Sequence, residues 1–393
     1  MIPDRRVRVL VLDHTAALGG AELALARLLD ALPLGQFQVR ALLFADGPLV
    51  ARLRSSRIGV EVLAVDPDVG SANRMEVVRP SCRLLRRTML SMAFIWQLTR
   101  RIRTVQPDVV YVNSLKAGVL GGLAARAAGI PVVWHVHDRI TGDYLPAQLV
   151  GPLRWGIRHL ATILVANSAA TAATIGDQQE ALIAYPGFAP QQALASFRDR
   201  PQRPGPPMVT LLGRISPTKG QLEFVRAAIR VHKEHPHARF RIVGSAMFGA
   251  EHYAAQVRAE IARAGLTSCI ELVTFTEDPV AELDRASVCV HASPVPEPFG
   301  QVVLEAMVRG VPVVATDAGG IPEILRDGDE SLGLLVPPGD DEALAQAILA
   351  LLQDPKRALD RAERAYTSAS RRFPVTKTAT TLSDAWCRAV RGR

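Results

Sequence analysis

The stretch VTLLGRISPTKGQLEFVRAAIRVHK, residues 209–233, passes from a short apolar run through a glycine-bounded basic turn into a helical segment. Val209 to Leu212 reads as a strand, Gly213 to Gly220 as the loop that leaves it, and Gln221 to Lys233 as a helix. That is one βα unit, the building block of a parallel sheet. Working outward, the same alternation recurs on both sides. The second half adds the apolar runs Phe240 to Val243, Ile270 to Val273, Val288 to His291, Pro312 to Ala315 and Leu334 to Val336. The first half has Val7 to Leu12, Val39 to Phe44, Val109 to Val112, Pro131 to Val136 and Ile163 to Ala166.

A chain of 393 residues exceeds the roughly 250–300 at which one hydrophobic core stops growing, so two domains are expected. Between the halves, Pro186, Pro190, Pro201, Pro204, Pro206 and Pro207 interrupt any ladder or helix. The predicted organisation is an α/β protein of two doubly wound Rossmann-like domains facing across a cleft. The N-terminal domain covers 1–188, a Pro-rich linker 189–207, and the C-terminal domain 208–375, with a last helix at about 376–393 packing back on the first domain. In such sheets ligands bind beyond the carboxyl ends of the strands.

Composition excludes several classes. With 48% hydrophobic and 21% charged residues the chain is not mainly disordered. The formal charge of +8 admits nucleic acid, an anionic membrane or phosphorylated ligands, but 5% aromatic residues and the lack of a recognition motif disfavour nucleic acid. No Gly-x-Gly-x-x-Gly follows either first strand, which disfavours a dehydrogenase. Cys82, Cys269, Cys289 and Cys387 form no Cys-x-x-Cys pair, signal no metal site, and fit a reduced, cytoplasmic compartment. The N-terminus lacks the apolar stretch of a signal peptide, and the longest uncharged run, Leu160 to Gly176, is short for a bilayer span. Any membrane contact is therefore expected to be peripheral, on the inner face of the cell membrane. The candidate is the segment from Arg79 to Arg103, in which seven arginines alternate with apolar residues and no acidic residue occurs. It fits an anionic leaflet, or a core-packed helix whose solvated face is basic.

Two loops carry chemistry. Arg214 and Lys219 supply a planar fork and a compact charge suited to a diphosphate, though the spacing is not that of a Walker loop. Further on, Pro296-Glu297-Pro298-Phe299-Gly300-Gln301 reads as a tight turn opening a helix, whose leading amides at Gly300 and Gln301 are expected to form an anion-binding end. Glu305 lies about 7–8 Å along that helix from Gly300, within reach of a ribose. Singly, Glu305 could be a surface residue and Glu297 a capping carboxylate; together with Arg214 and Lys219 those readings are hard to keep.

Gly213-Arg214-x-Ser216-x-x-Lys219-Gly220, then Glu297-Pro298-Phe299-Gly300 with Glu305, then Gly319-Gly320-Ile321-Pro322-Glu323, resembles glycosyltransferase family four, the retaining group 1 enzymes of GT-B fold. Gly19-Gly20-Ala21-Glu22 resembles that family's glycine loop, Val132 to Asp138 its histidine strand, and Asn167-Ser168 another common element. The resemblance implies that Arg214 and Lys219 hold the donor diphosphate and stabilise the leaving nucleotide. It implies that Glu305 binds the ribose and that Glu297 and His137 contact the transferred sugar. The implied catalytic set is His137, Arg214, Lys219 and Glu297; the implied donor site is Gly19, Gly20, Gly213, Arg214, Lys219, Thr274, Phe275, Glu297, Phe299, Gly300, Gln301 and Glu305. Neither a metal nor a cofactor is implied; a nucleoside-diphosphate sugar is the co-substrate and a glycan, lipid-linked or small-molecule hydroxyl the acceptor.

His135 lies on the same strand face as His137 and is an alternative; the neighbouring Asp138, itself read as ending the strand, favours His137. Two departures stand out. Thr274-Phe275 replaces a common Gly-Phe beside the base, so the base is not named, and Tyr185-Pro186-Gly187-Phe188 replaces the usual Asn-Gly-Val-Asp. Other readings are a nucleotide-sugar epimerase, a phosphorylase-like enzyme of the same fold, or a non-catalytic sugar-nucleotide-binding protein.

Overall fold

A computed structural model describes residues 5–33, 35–70, 82–176, 180–246, 249–274, 276 and 278–392. Arg79, Phe275 and the side chains of Arg83 and Leu84 lie outside the described residues. The chain forms two compact units, Met1–Gly187 together with Val375–Arg393, and Phe188–Pro374.

The first unit begins with β1 (Val7–Asp13), α1 (Gly20–Asp30), β2 (Phe37–Leu43), α2 (Pro48–Ser55), β3 (Gly59–Val62) and α3 (Pro67–Gly70). It continues with α4 (Cys82–Val105), β4 (Val109–Val112), α5 (Leu115–Ala127) and β5 (Val132–Val136), then α6 (Ala147–Leu160), β6 (Ile163–Ala166), α7 (Ala169–Ile175) and β7 (Leu182–Ile183). Its strands form one parallel sheet in the order β3-β2-β1-β4-β5-β6-β7. The strands are near-continuous apolar runs because helices cover both faces. Leu25, Leu29 and Leu53 pack on one face, and Phe94, Leu98, Ile157 and Leu160 on the other.

The second unit comprises β8 (Met208–Leu212), α8 (Gln221–Glu234), β9 (Arg239–Val243), α9 (Glu251–Arg263), β10 (Ile270–Val273) and α10 (Pro279–Arg285). There follow β11 (Val288–His291), α11 (Gln301–Val308), β12 (Val313–Thr316), α12 (Ile321–Leu325), the hairpin β13 (Arg326–Asp327) and β14 (Glu330–Ser331), and β15 (Leu334–Val336). Two helices, α13 (Asp341–Gln353) and α14 (Pro355–Arg372), complete it. The parallel sheet runs β10-β9-β8-β11-β12-β15. In both sheets the order reverses beside the first strand, between β1 and β4 and between β8 and β11. The loops leaving those strands diverge to opposite faces and open a crevice at the carboxyl edge.

Residues 189–207, expected as a linker, lie within the second unit. They carry two short 3-10 turns, Pro190–Gln192 and Phe197–Asp199, and are tied down by Leu194 N donating to the Val308 carbonyl at 3.0 Å and by Tyr366 Oη donating to the Leu194 carbonyl at 3.0 Å. The final helix, α15 (Val375–Arg391), belongs to the first unit. Its Trp386 is fully buried, with its ring edge-on to Phe37 and Tyr111 at centroid distances of 5.3 and 5.5 Å. Trp386→Ala therefore opens a large cavity in that core and is expected to cost about 3–5 kcal/mol, read as a lower urea midpoint for the first unit.

Candidate functional site

In the second unit the crevice is built from the loops after β8 and β11. The chain leaves β8 through Gly213 and Arg214, and the buried side chain of Gln221 pins the turn: its Nε2 donates to the Arg214 carbonyl at 2.8 Å and its Oε1 accepts from Ser216 N at 3.3 Å. Gly220 has φ +73°, and a Cβ there would stand 1.9 Å from the carbonyl oxygen of Ala292, at the end of β11. Only glycine permits that approach, which sets Lys219 beside the β11 loop.

Lys219 Nζ donates to both carboxylate oxygens of Glu297 at 2.8 Å. His291 Nε2 stands 3.5 Å from Glu297 Oε2, and Thr316 Oγ1 lies 3.2 Å from His291 Nδ1. Burial alone would raise the Glu297 pKa, but the Lys219 ammonium first, and then the nearby His291 ring, outweigh it and hold the group well below the usual carboxylate range. The Glu297 backbone is fixed as well. Gly320 N donates to its carbonyl at 2.8 Å, and Gly319, at φ +65°, comes so close that a Cβ would sit 2.0 Å from that oxygen. The Gly319-Gly320 pair thus acts as a clamp on Glu297.

Gly300 caps α11 in the left-handed region and Gln301 opens the helix. Phe299 is buried and packs edge-on against Phe373 at 6.1 Å, so its ring anchors the turn in the core. Glu305 is half-buried on α11 and accepts from Gln192 Nε2 at 3.2 Å. Burial, with the Glu305 carboxylate adding to it, pushes the Cys289 thiol up to about 12. Arg214 and Thr274 are exposed at the ends of β8 and β10, the latter's carbonyl accepting from Ser245 Oγ. The second unit therefore brings Gly213, Arg214, Lys219, Glu297, Gly300, Gln301 and Glu305 onto the loops and helix starts beyond β8 and β11.

In the first unit Gly19 caps α1 and Gly20 opens it. His137, just past β5, belongs to a polar cluster at the carboxyl ends of β1, β4 and β5. Its Nε2 lies 3.0 Å from Asn113 Oδ1, and Asn113 Nδ2 donates to Asp13 Oδ2 at 2.9 Å. Asn167 Nδ2 donates to the His137 carbonyl at 3.1 Å. His135, the alternative, is 2% exposed beneath this cluster, with Nδ1 2.8 Å from the buried Tyr111 hydroxyl. Burial lowers both histidines, His137 to about 4. Both rings are therefore neutral near pH 7.

Sequence reasoning missed Asp13, Asn113, His291 and Gln221. Asp13, Asn113 and His291 follow or end predicted strands and Gln221 opens a predicted helix, but their roles depend on contacts across 5 to 100 positions of chain, which local pattern does not encode. Among the described residues, no group of three or more His, Cys, Asp or Glu could hold a metal ion.

A family model described as glycosyl transferases group 1 matches residues 206–354, and one described as glycosyltransferase family 4 matches residues 18–186. An exopolysaccharide phosphotransferase of Streptomyces coelicolor is 29% identical over 70% of this chain, a match spanning 28% of that protein's own length. A D-inositol 3-phosphate glycosyltransferase of Streptomyces bingchenggensis is 28% identical over 72% of the chain and 67% of its own length. The crystal structure of HepE from Anabaena, in complex with UDP and glucose, superposes with a TM-score of 0.81 at 26% identity, covering 97% of this chain and 99% of that one.

One buried acid in the first unit carries a pH dependence. Glu22, in the first turn of α1, is raised from 4.5 to about 7, by burial first and then by Asp13 and Asp138, with its own backbone hydrogen bond and His14 opposing. A carboxyl raised on folding favours its protonated form, so its contribution is complete below pH 4.5 and is lost as pH rises through about 7. Glu22→Gln stays neutral throughout. Relative to this variant, wild type is expected to lose on the order of 2–3 kcal/mol across that window in urea titrations.

Proposed function

The chain belongs to the group 1, family four glycosyltransferases of GT-B fold, and from that premise we propose a retaining, metal-independent transfer of a sugar from a nucleoside diphosphate to an acceptor hydroxyl. The acceptor is a glycan, a lipid-linked glycan or a small molecule. The observation that carries this reading is the Lys219–Glu297 pair set beside His291 at the ends of β8 and β11.

When the donor C1–O bond breaks, the departing nucleoside diphosphate gains negative charge. The Arg214 guanidinium, the Lys219 ammonium and the start of α11 at Gly300 and Gln301 lie on the loops where that charge would be met, and they can supply the stabilisation otherwise given by a metal. Lys219 has three donor protons, and two directed at Glu297 leave one for a phosphate oxygen. Glu297, kept ionised, retains lone pairs to accept sugar hydroxyls, and Glu305, one helical turn into α11, can accept from a ribose hydroxyl. Among the described residues of these loops, no side chain reads as a nucleophile. The acceptor oxygen attacks C1 on the face the phosphate leaves, and its proton passes to the departing phosphate oxygen.

The donor is tested by screening UDP-, GDP- and ADP-sugars by thermal shift and donor hydrolysis; the likeness to HepE points first to the UDP arm. A sugar nucleotide should raise the melting temperature, and Lys219→Ala or Glu305→Ala should abolish most of that rise. If none stabilises wild type, or the substitutions leave the rise intact, the reading fails; binding without turnover would mean a non-catalytic binder.

A second part of the proposal concerns α4. Phe94, Leu98 and Ile102 are buried against the sheet, whereas Leu85, Met89, Met92 and Trp96 are each more than half exposed. Their spacing of four, three and four residues sets them in one stripe. The helix face turned to solvent is thus apolar, with Arg86, Arg87 and Arg100 near it and the Arg100 guanidinium 4.8 Å over the Trp96 ring. No helix among the described residues is long and apolar enough to cross a membrane. This stripe suits peripheral docking on an anionic bilayer at the cytoplasmic face. Cosedimentation with phosphatidylglycerol vesicles should show binding that weakens in about 0.5 M salt and falls with Trp96→Ser; no binding at low salt would overturn it.

A further inference from the structure

The orientation of the Asn113 carboxamide decides which nitrogen of His137 carries the proton. Asp13 is fully buried at the end of β1, and its Oδ2 accepts from the Asn113 amide nitrogen at 2.9 Å. The same nitrogen faces the Ala21 carbonyl at 3.5 Å, and a carbonyl oxygen can only accept, so the nitrogen and oxygen of the amide cannot be exchanged. Asn113 Oδ1 then faces His137 Nε2 at 3.0 Å and the Tyr111 hydroxyl at 3.2 Å. A carboxamide oxygen is also only an acceptor, so His137 Nε2 must donate. The backbone holds each member in place: Asn113 N donates to the Leu12 carbonyl at 3.1 Å, and Asn167 N donates to the Val136 carbonyl at 3.1 Å while its side chain holds the His137 carbonyl.

The charged groups around the ring are Asp13, Asp138 and the neighbouring His135, whose ring centroid lies 4.0 Å away. Two imidazoles packed at that distance in a buried setting do not both carry charge. A neutral ring with a proton on Nε2 has its lone pair on Nδ1.

We infer that Asn113, oriented by Asp13, is a positioning residue that fixes His137 as the neutral Nε2–H tautomer and makes Nδ1 a hydrogen-bond acceptor for a hydroxyl of the transferred sugar or acceptor. His137 then serves as an uncharged acceptor and not as a proton donor or cation. This inference rests on the glycosyltransferase reading for the hydroxyl, but the tautomer stands on the Asp13–Asn113–His137 chain alone.

The test begins with the wild-type full chain labelled with 15N-histidine, using long-range 1H–15N correlation between pH 5 and 8. The expected result is one His137 ring with protonated Nε2 and bare Nδ1 throughout; a bare Nε2, or a ring that becomes charged as pH falls to 5.5, overturns the inference without any variant. The second arm measures transfer from the donor identified in the thermal-shift screen. Asn113→Ala should lower kcat about tenfold, the scale of one lost hydrogen bond, with little change in donor KM, and its His137 ring should populate the Nδ1–H tautomer in the same NMR correlation. In the His137→Ala background the same change should cost almost nothing more, because Asn113 acts through His137. Full additivity overturns the positioning role, as does an unchanged tautomer in Asn113→Ala. If no sugar nucleotide binds wild type, the functional reading has failed, and the NMR arm still decides the tautomer.

Discussion

Withdrawing a carboxylate from water costs several kcal/mol unless cations and donors replace its hydration, and the second unit is arranged around one such group. Glu297 is 16% exposed. Lys219 reaches it from the β8 loop, His291 from the end of β11, and the Gly319-Gly320 turn after β12 clamps its backbone. Three loops from three adjacent strands are therefore tied to one charge. That is possible because the strands are parallel, so all three release their chains at the same edge. Gln221 and Gly220 in turn matter because they fix the loop that carries Lys219.

The first unit repeats the topology with different electrostatics. At the equivalent edge its β1, β4 and β5 loops bring together Asp13, Asn113, Tyr111, His135 and His137, and burial keeps both rings uncharged. A network of neutral dipoles anchored on one buried carboxylate orients hydrogen bonds but does not attract phosphate. The second unit, with its ammonium and guanidinium at the loop ends, does the reverse. The same fold thus supplies an environment for hydroxyls in one unit and for anions in the other.

Much of this was legible in sequence because the signals are local. Strands buried on both faces are apolar runs, and every long run, such as Val109 to Val112 or Val288 to His291, is a strand of the structure. The edge strands β3 and β7 escaped notice: Gly59–Val62 is only half-buried and Leu182–Ile183 has two residues, so neither makes a distinctive run. The stretch 189–207 read as a linker because prolines exclude regular structure, yet irregular chain also packs when its polar groups find partners, as Leu194 and Gln192 do. Phe299 illustrates the opposite limit. Its motif is recognisable, but only the fold reveals that the ring is turned inward onto Phe373. The clamp of Gly319 on Glu297 joins residues 22 positions apart and is invisible to any periodicity.

The two cations of the donor loop differ in a way that follows from their surroundings. Lys219 is half-buried and already held by both oxygens of Glu297, so its rotamer entropy is lost on folding and a phosphate meets it in place. Arg214 is exposed at the end of β8, and its planar fork can meet two phosphate oxygens at once, which a compact ammonium cannot. A preorganised charge contributes most where charge develops, because it need not reorganise as the bond breaks. Glu297 therefore has two consequences at once. In the proposed transfer it would offer lone pairs to a sugar, and by immobilising Lys219 it would prepare the cation that the leaving phosphate requires.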